Sequence, residues 1–69
     1  MKTYYDLYKD TTELRKALDG ATWEFEWEVW GELQYSTELD GKEYYKVIFP
    51  DSTVLITDDL AHALGEVDD

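Results

Sequence analysis

Apolar and polar positions alternate most regularly at Trp23-Glu24-Phe25-Glu26-Trp27-Glu28-Val29, where large apolar side chains hold the odd positions and carboxylates the even ones. A period of two is the mark of a strand with one face buried and one in water. The odd pattern runs on through Gly31, Leu33 and Tyr35, which predicts one long strand over about residues 22–37 with a bulge or bend at Gly31. At a rise of ~3.3 Å per residue, Glu24, Glu26 and Glu28 then form a row of carboxylates ~6.6 Å apart, while the odd face supplies the core.

Before this strand, Asp10 with Glu13 three residues on reads as a capping box, and Leu14, Ala17 and Leu18 fall on one helical face that Gly20 ends. Arg15 and Lys16 take the outer face of that helix. Residues 1–9 carry Tyr4, Tyr5, Leu7 and Tyr8 and fit a short helix or an irregular aromatic lead-in. After the strand, Leu39-Asp40-Gly41 marks a hairpin with two competing registers, a two-residue turn on Asp40-Gly41 or a three-residue turn with Gly41 left-handed. The three-residue register keeps apolar against apolar, with Tyr35 facing Tyr45, Leu33 facing Val47 and Glu38 opposite Lys42. It places Tyr44, Lys46 and Ile48 on the outer face beside Trp30 and the glutamates.

The returning strand is expected over 42–49. Pro50-Asp51-Ser52 turns the chain into a short strand at Thr53-Val54-Leu55-Ile56. Thr57 or Asp58 caps a second helix with Leu60, Ala61 and Leu64 as its stripe and Gly65 as its end, followed by an acidic tail over 66–69. The expected architecture is therefore α+β: helix, three-stranded antiparallel β-meander, helix, with both helices on one face of the sheet. Residues 1–69 read as a single acidic α+β domain.

Charge changes the picture more than composition does. There are 17 Asp and Glu against 6 Lys and Arg, a formal net charge of -11. Such a field repels nucleic acid and anionic membranes and speeds encounter with basic surfaces, although acidity also serves plain solubility. The chain has no cysteine and hence no disulfide framework or thiolate metal site, and three Trp, six Tyr and two Phe supply core area to a small domain. Met1-Lys2-Thr3-Tyr4-Tyr5 holds no apolar run of signal-peptide length, so a cytoplasmic location is expected.

Catalytic chemistry is thin. His62 is the sole histidine; Asp58 and Asp59 precede it at reach for a metal, but helix capping accounts for them more simply. Glycoside-type acid pairs need a cleft that separates their pKa values, and an open row of glutamates has none. No phosphate loop, nucleophile motif or calcium loop is present, so neither enzyme activity, nor a cofactor, nor a metal is expected.

The outer face carries more. Glu24, Glu26, Glu28 and Glu32 surround Trp30, with Tyr44 and Ile48 nearby, an aromatic anchor with an acidic rim of the kind that organises protein interfaces. The alternative is that residues 1–9 fold across Trp30 and bury it. A row of carboxylates can occupy a Lys/Arg groove shaped for phosphates. In size, charge and topology the chain resembles small acidic inhibitors made by phages: anti-CRISPR proteins, anti-restriction proteins and uracil-DNA glycosylase inhibitors. One small anti-CRISPR family is similar in its helix, three-stranded sheet and further helix, and in a hairpin turn like Asp40-Gly41 followed by Glu43-Tyr44.

The resemblance implies a non-enzymatic inhibitor of a basic nucleic-acid-binding protein, a nuclease or CRISPR effector, with Glu24, Glu26, Glu28 and Glu32 standing in for phosphates and Trp30 and Tyr44 as anchor. Neither direct nucleic-acid binding nor membrane binding is expected, and homo-oligomerisation stays open. An antitoxin- or immunity-type protein that binds a basic toxin away from its nucleic-acid site is the alternative, and a carbohydrate-binding module using surface aromatics is a third reading.

Overall fold

The computed structural model describes residues 2–65. The elements are β1 (Thr3–Asp6), α1 (Thr12–Asp19), β2 (Glu24–Val29), β3 (Glu32–Leu39), β4 (Lys42–Ile48), β5 (Val54–Thr57) and α2 (Leu60–Leu64). They form an α+β unit around one five-stranded mixed sheet, ordered β1-β5-β4-β3-β2. β1 runs parallel to β5, and the other pairs are antiparallel. The expected three-stranded meander is thus too small: Thr3–Asp6 form an edge strand where a helix or an irregular lead-in was expected, and the span 22–37 is a hairpin.

That hairpin turns on Trp30 and Gly31, whose φ values of 55° and 81° are both positive. Two left-handed residues match the natural twist of the flanking strands, so Val29 pairs with Glu32 and the chain reverses. Apolar alternation continues on both sides of the turn, which is why it reads as one strand. The second hairpin has the same form. Asp40 (φ 53°) and Gly41 (φ 80°) make a two-residue turn closed by Leu39 and Lys42. The three-residue register is therefore overturned: Tyr35 faces Lys46, Leu33 faces Ile48, and Glu38 faces Glu43.

A further correction lies inside β2. The register shifts between Phe25 and Trp27, so that Phe25 pairs with Tyr35 while Trp27 pairs with Gln34. An extra residue in one strand reverses the parity of everything after it. Phe25 and Glu28 consequently share one face, and Glu24, Trp27 and Val29 the other. The row of Glu24, Glu26 and Glu28 on a single face does not exist.

Nor do the helices share a face. α1 lays Leu18 on Tyr44 and Ile56, with Tyr5, Leu7, Leu14, Trp23, Leu39 and Val54 packed around them. The Trp23 indole donates to the Leu18 carbonyl at 3.1 Å and so fixes the entry to β2. α2 covers the other face, where Gln34 donates to the Ala63 carbonyl at 2.9 Å and Val47 is buried. The physical reason is the path of the chain. β1 and β2 are opposite edges of the sheet, and α1 on its way between them occupies one whole face, leaving α2 the other.

The caps shift by a residue or two from expectation. Thr11, not Asp10, caps α1 by accepting the Leu14 N–H at 3.1 Å, and Asp10 is bound to Arg15 instead. Asp59 caps α2 by accepting the Ala61 N–H, and Gly65 ends that helix with φ 74° as its position predicts. The expected acidic tail over 66–69 lies outside the described residues. No helix among the described residues is long and apolar enough to cross a membrane.

Candidate partner-docking face

The proposed site residues part company in three dimensions. Glu24 pairs with Ser36, and Glu26, the bulge residue, accepts the Ser36 hydroxyl at 2.6 Å; both belong to the face covered by α2. Glu28 points with Phe25 to the α1 face. Tyr44 is only 6% exposed and is core beneath α1, so it anchors nothing outside. Glu32 closes the first hairpin and lines a cleft of about 590 Å³ with Tyr4, Asp6, Phe49, Leu55 and His62. Trp30 is 91% exposed at the hairpin tip. The tyrosines of β1 lie at the far edge of the sheet, so they do not cover Trp30.

Two carboxylates outside the expected site join Glu24 and Glu26. Glu38 and Glu43 stand directly opposite one another across β3 and β4, on the same face as Ser36. Glu24, Glu38 and Glu43 edge a groove of about 390 Å³ together with Thr22, Ser36 and Thr37, and Ser36 and Glu43 carry it into a smaller cleft lined by Glu26, Trp27, Gln34, Tyr45 and Leu60. The two-residue turn at Asp40-Gly41 was the available signal for Glu38 and Glu43, since that register alone sets them face to face. Nothing in the alternation announces the bulge that turns Trp27 toward them.

Positive charge lies elsewhere. Arg15 grips both Asp10 oxygens at 2.7 and 2.6 Å and stacks 4.2 Å from the Tyr5 ring centroid; its hydrogen bond holds Asp10 below the ordinary carboxylate value. Lys42 reaches Asp58 at 3.1 Å, which raises its own pKa. Lys46 sits 4.7 Å from the Trp23 ring and 5.6 Å from that of Tyr35, and burial pushes its ammonium below the ordinary lysine value. By strand alternation Lys42 and Lys46 belong to the α1 face, so the α2 face of β2, β3 and β4 bears no Lys or Arg among the described residues.

Around His62 the chemistry is structural. His62 Nδ1 meets an Asp6 oxygen and lies 3.8 Å from Asp59, tying α2 to β1. Asp58 turns away to the Tyr8 N–H and Lys42. The described residues contain no group of three or more His, Cys, Asp or Glu able to hold a metal ion. No family model, curated protein or solved structure matches the chain, which leaves the geometry of the acidic face to carry the functional reading.

Proposed function

We propose that this protein is a non-enzymatic inhibitor whose α2-side sheet face docks on the nucleic-acid-binding surface of a basic protein, a nuclease or CRISPR effector, in place of phosphates. The acids that do this are Glu24, Glu26, Glu38 and Glu43, with Trp27 as the apolar centre; Glu28 and Tyr44 leave the set because they face or fill the other side. Glu32 and Trp30 extend the surface toward the first hairpin.

One observation supports the reading above others: Glu38 is paired directly with Glu43, beside Glu24 and Glu26, on a face without Lys or Arg among the described residues. Like charges directly opposite across a ladder are destabilising. The fold offers no cation there to offset them, whereas a basic partner would. A polar rim around an exposed aromatic is also the usual layout of an interface.

The test is a set of cleavage assays with nucleases and RNA-guided effectors in the presence of the protein. The expected result is inhibition of a member that is relieved by raising the DNA concentration and lost in the combined variant Glu24→Lys, Glu38→Lys, Glu43→Lys. Inhibition that ignores both DNA and the three reversals would sink the proposal, and so would a failure to inhibit any of them.

A further inference from the structure

The smaller cleft on this face holds about 150 Å³. A cleft of this size admits a charged side-chain head. Trp27 from β2, Tyr45 from β4 and Leu60 from α2 wall it, and Leu60 is 47% exposed at its mouth.

Its polar groups share one character. Gln34 lines the cleft with only 5% of its surface exposed, and its amide nitrogen is taken by the Ala63 carbonyl. No donor among the described residues reaches its amide oxygen, which is not sealed from solvent and so opens on the cleft as an acceptor. Glu26 accepts one hydrogen bond, from Ser36, and keeps its other oxygen. Glu43 has no hydrogen-bond or ion-pair partner among the described residues and faces Glu38. Three residues with acceptor oxygens, two of them anionic, therefore line one cleft between aromatic and aliphatic walls.

We infer that this cleft is a socket for one arginine side chain of a basic partner. The inference rests on the docking reading above and narrows it from a face to a point. A guanidinium is a planar, donor-only cation with five N–H groups, so it can serve Glu26, Glu43 and Gln34 together while stacking on an aromatic face. Lysine offers a compact, strongly hydrated ammonium without a plane to stack. A cation over the face of Trp gains further attraction from the ring. Anions are repelled by the rim, and neutral polar ligands leave the carboxylates unpaired.

The experiment titrates the full chain with three short peptides alike except for arginine, lysine or citrulline, reading the indole N–H of Trp27 by NMR with Trp23, which packs under α1, as internal control. The arginine peptide should produce a saturable shift at Trp27, the lysine peptide should bind about tenfold more weakly, and the neutral citrulline peptide should produce none. Glu43→Gln and Trp27→Leu should each weaken the arginine peptide by about tenfold, whereas Glu28→Gln on the opposite face should not. Glu43→Gln also removes the repulsion with Glu38, so an unchanged amide spectrum is expected and loss of binding cannot be put down to unfolding. Equal binding of arginine and lysine peptides, insensitive to Trp27→Leu, would remove the socket and leave the acidic docking face standing. Binding of neither cationic peptide would remove both.

Discussion

Asp58 is the carboxylate whose partners are most fully built. Burial pushes its pKa up, but the Tyr8 N–H at 3.0 Å and the Lys42 ammonium at 3.1 Å outweigh that, and the net displacement is below the ordinary value. The ionised form is thus favoured by folding, and its contribution is present above the unfolded pKa and lost as pH falls through the lower folded one. Asp58→Asn should cost about 1–2 kcal/mol at neutral pH, a difference from wild type that is full above the ordinary carboxylate pKa and closes as pH falls below it. Urea denaturation followed by tryptophan fluorescence at several pH values measures it, and a pH-independent difference would show that the carboxylate charge is irrelevant. Single residues also mark the limit of reading function from order alone. Tyr44 and Trp30 look equivalent in the chain, yet one is core and the other lies open at a turn in left-handed backbone, a conformation that favours small polar residues or glycine.

The two hairpins are the elements that decide which face each residue joins. Both end in glycines with nearly the same backbone, φ 81° at Gly31 and 80° at Gly41, but their surroundings differ. A Cβ on Gly31 would lie 3.1 Å from the Pro50 ring, whereas one on Gly41 would meet nothing within 4 Å. Gly41→Ala should therefore cost about 1–2 kcal/mol from the strained φ alone. Gly31→Ala should cost measurably more, because the ring of Pro50 must also give way. Equal losses by thermal denaturation would mean that the first hairpin does not press on the Pro50 turn. β2 shows how an element can be exposed and still specific. It is an edge strand whose residues are all exposed, and its bulge and glutamates discourage another strand from pairing there, which keeps its side chains available to a partner surface.

For the molecule as a whole, a net charge of -11 opposes the compact state. Ion pairs between Lys or Arg and carboxylates, Arg15 with Asp10 and Lys42 with Asp58 among the described residues, work the other way. Arg15 and Lys42 are half-exposed, and pairs of that kind contribute little, so the diffuse repulsion should win. Raising NaCl from about 10 mM to about 0.5 M, which shortens the screening length from about 30 Å to a few Å, should therefore raise the thermal midpoint. A fall would mean that the ion pairs outweigh the repulsion.

Local chemistry was enough for much of this protein. The helical stripe through Leu14 and Leu18, the strand residues Val54 to Ile56, a hairpin reversal near Asp40 and Gly41, the left-handed stop at Gly65 and the acidic excess are all properties of residues and their near neighbours. The faces were a different matter. Whether Glu28 joins Glu24 depends on one bulge, and whether Glu38 meets Glu43 depends on one turn residue, and each choice reverses the parity of all that follows. Those choices are settled by packing between elements distant in sequence: Leu18 on Tyr44 and Ile56 from one side, and Ala63 held by Gln34 from the other. The alternation at residues 23–29 thus announced a strand, and only the assembled sheet decided which of its side chains look outward together.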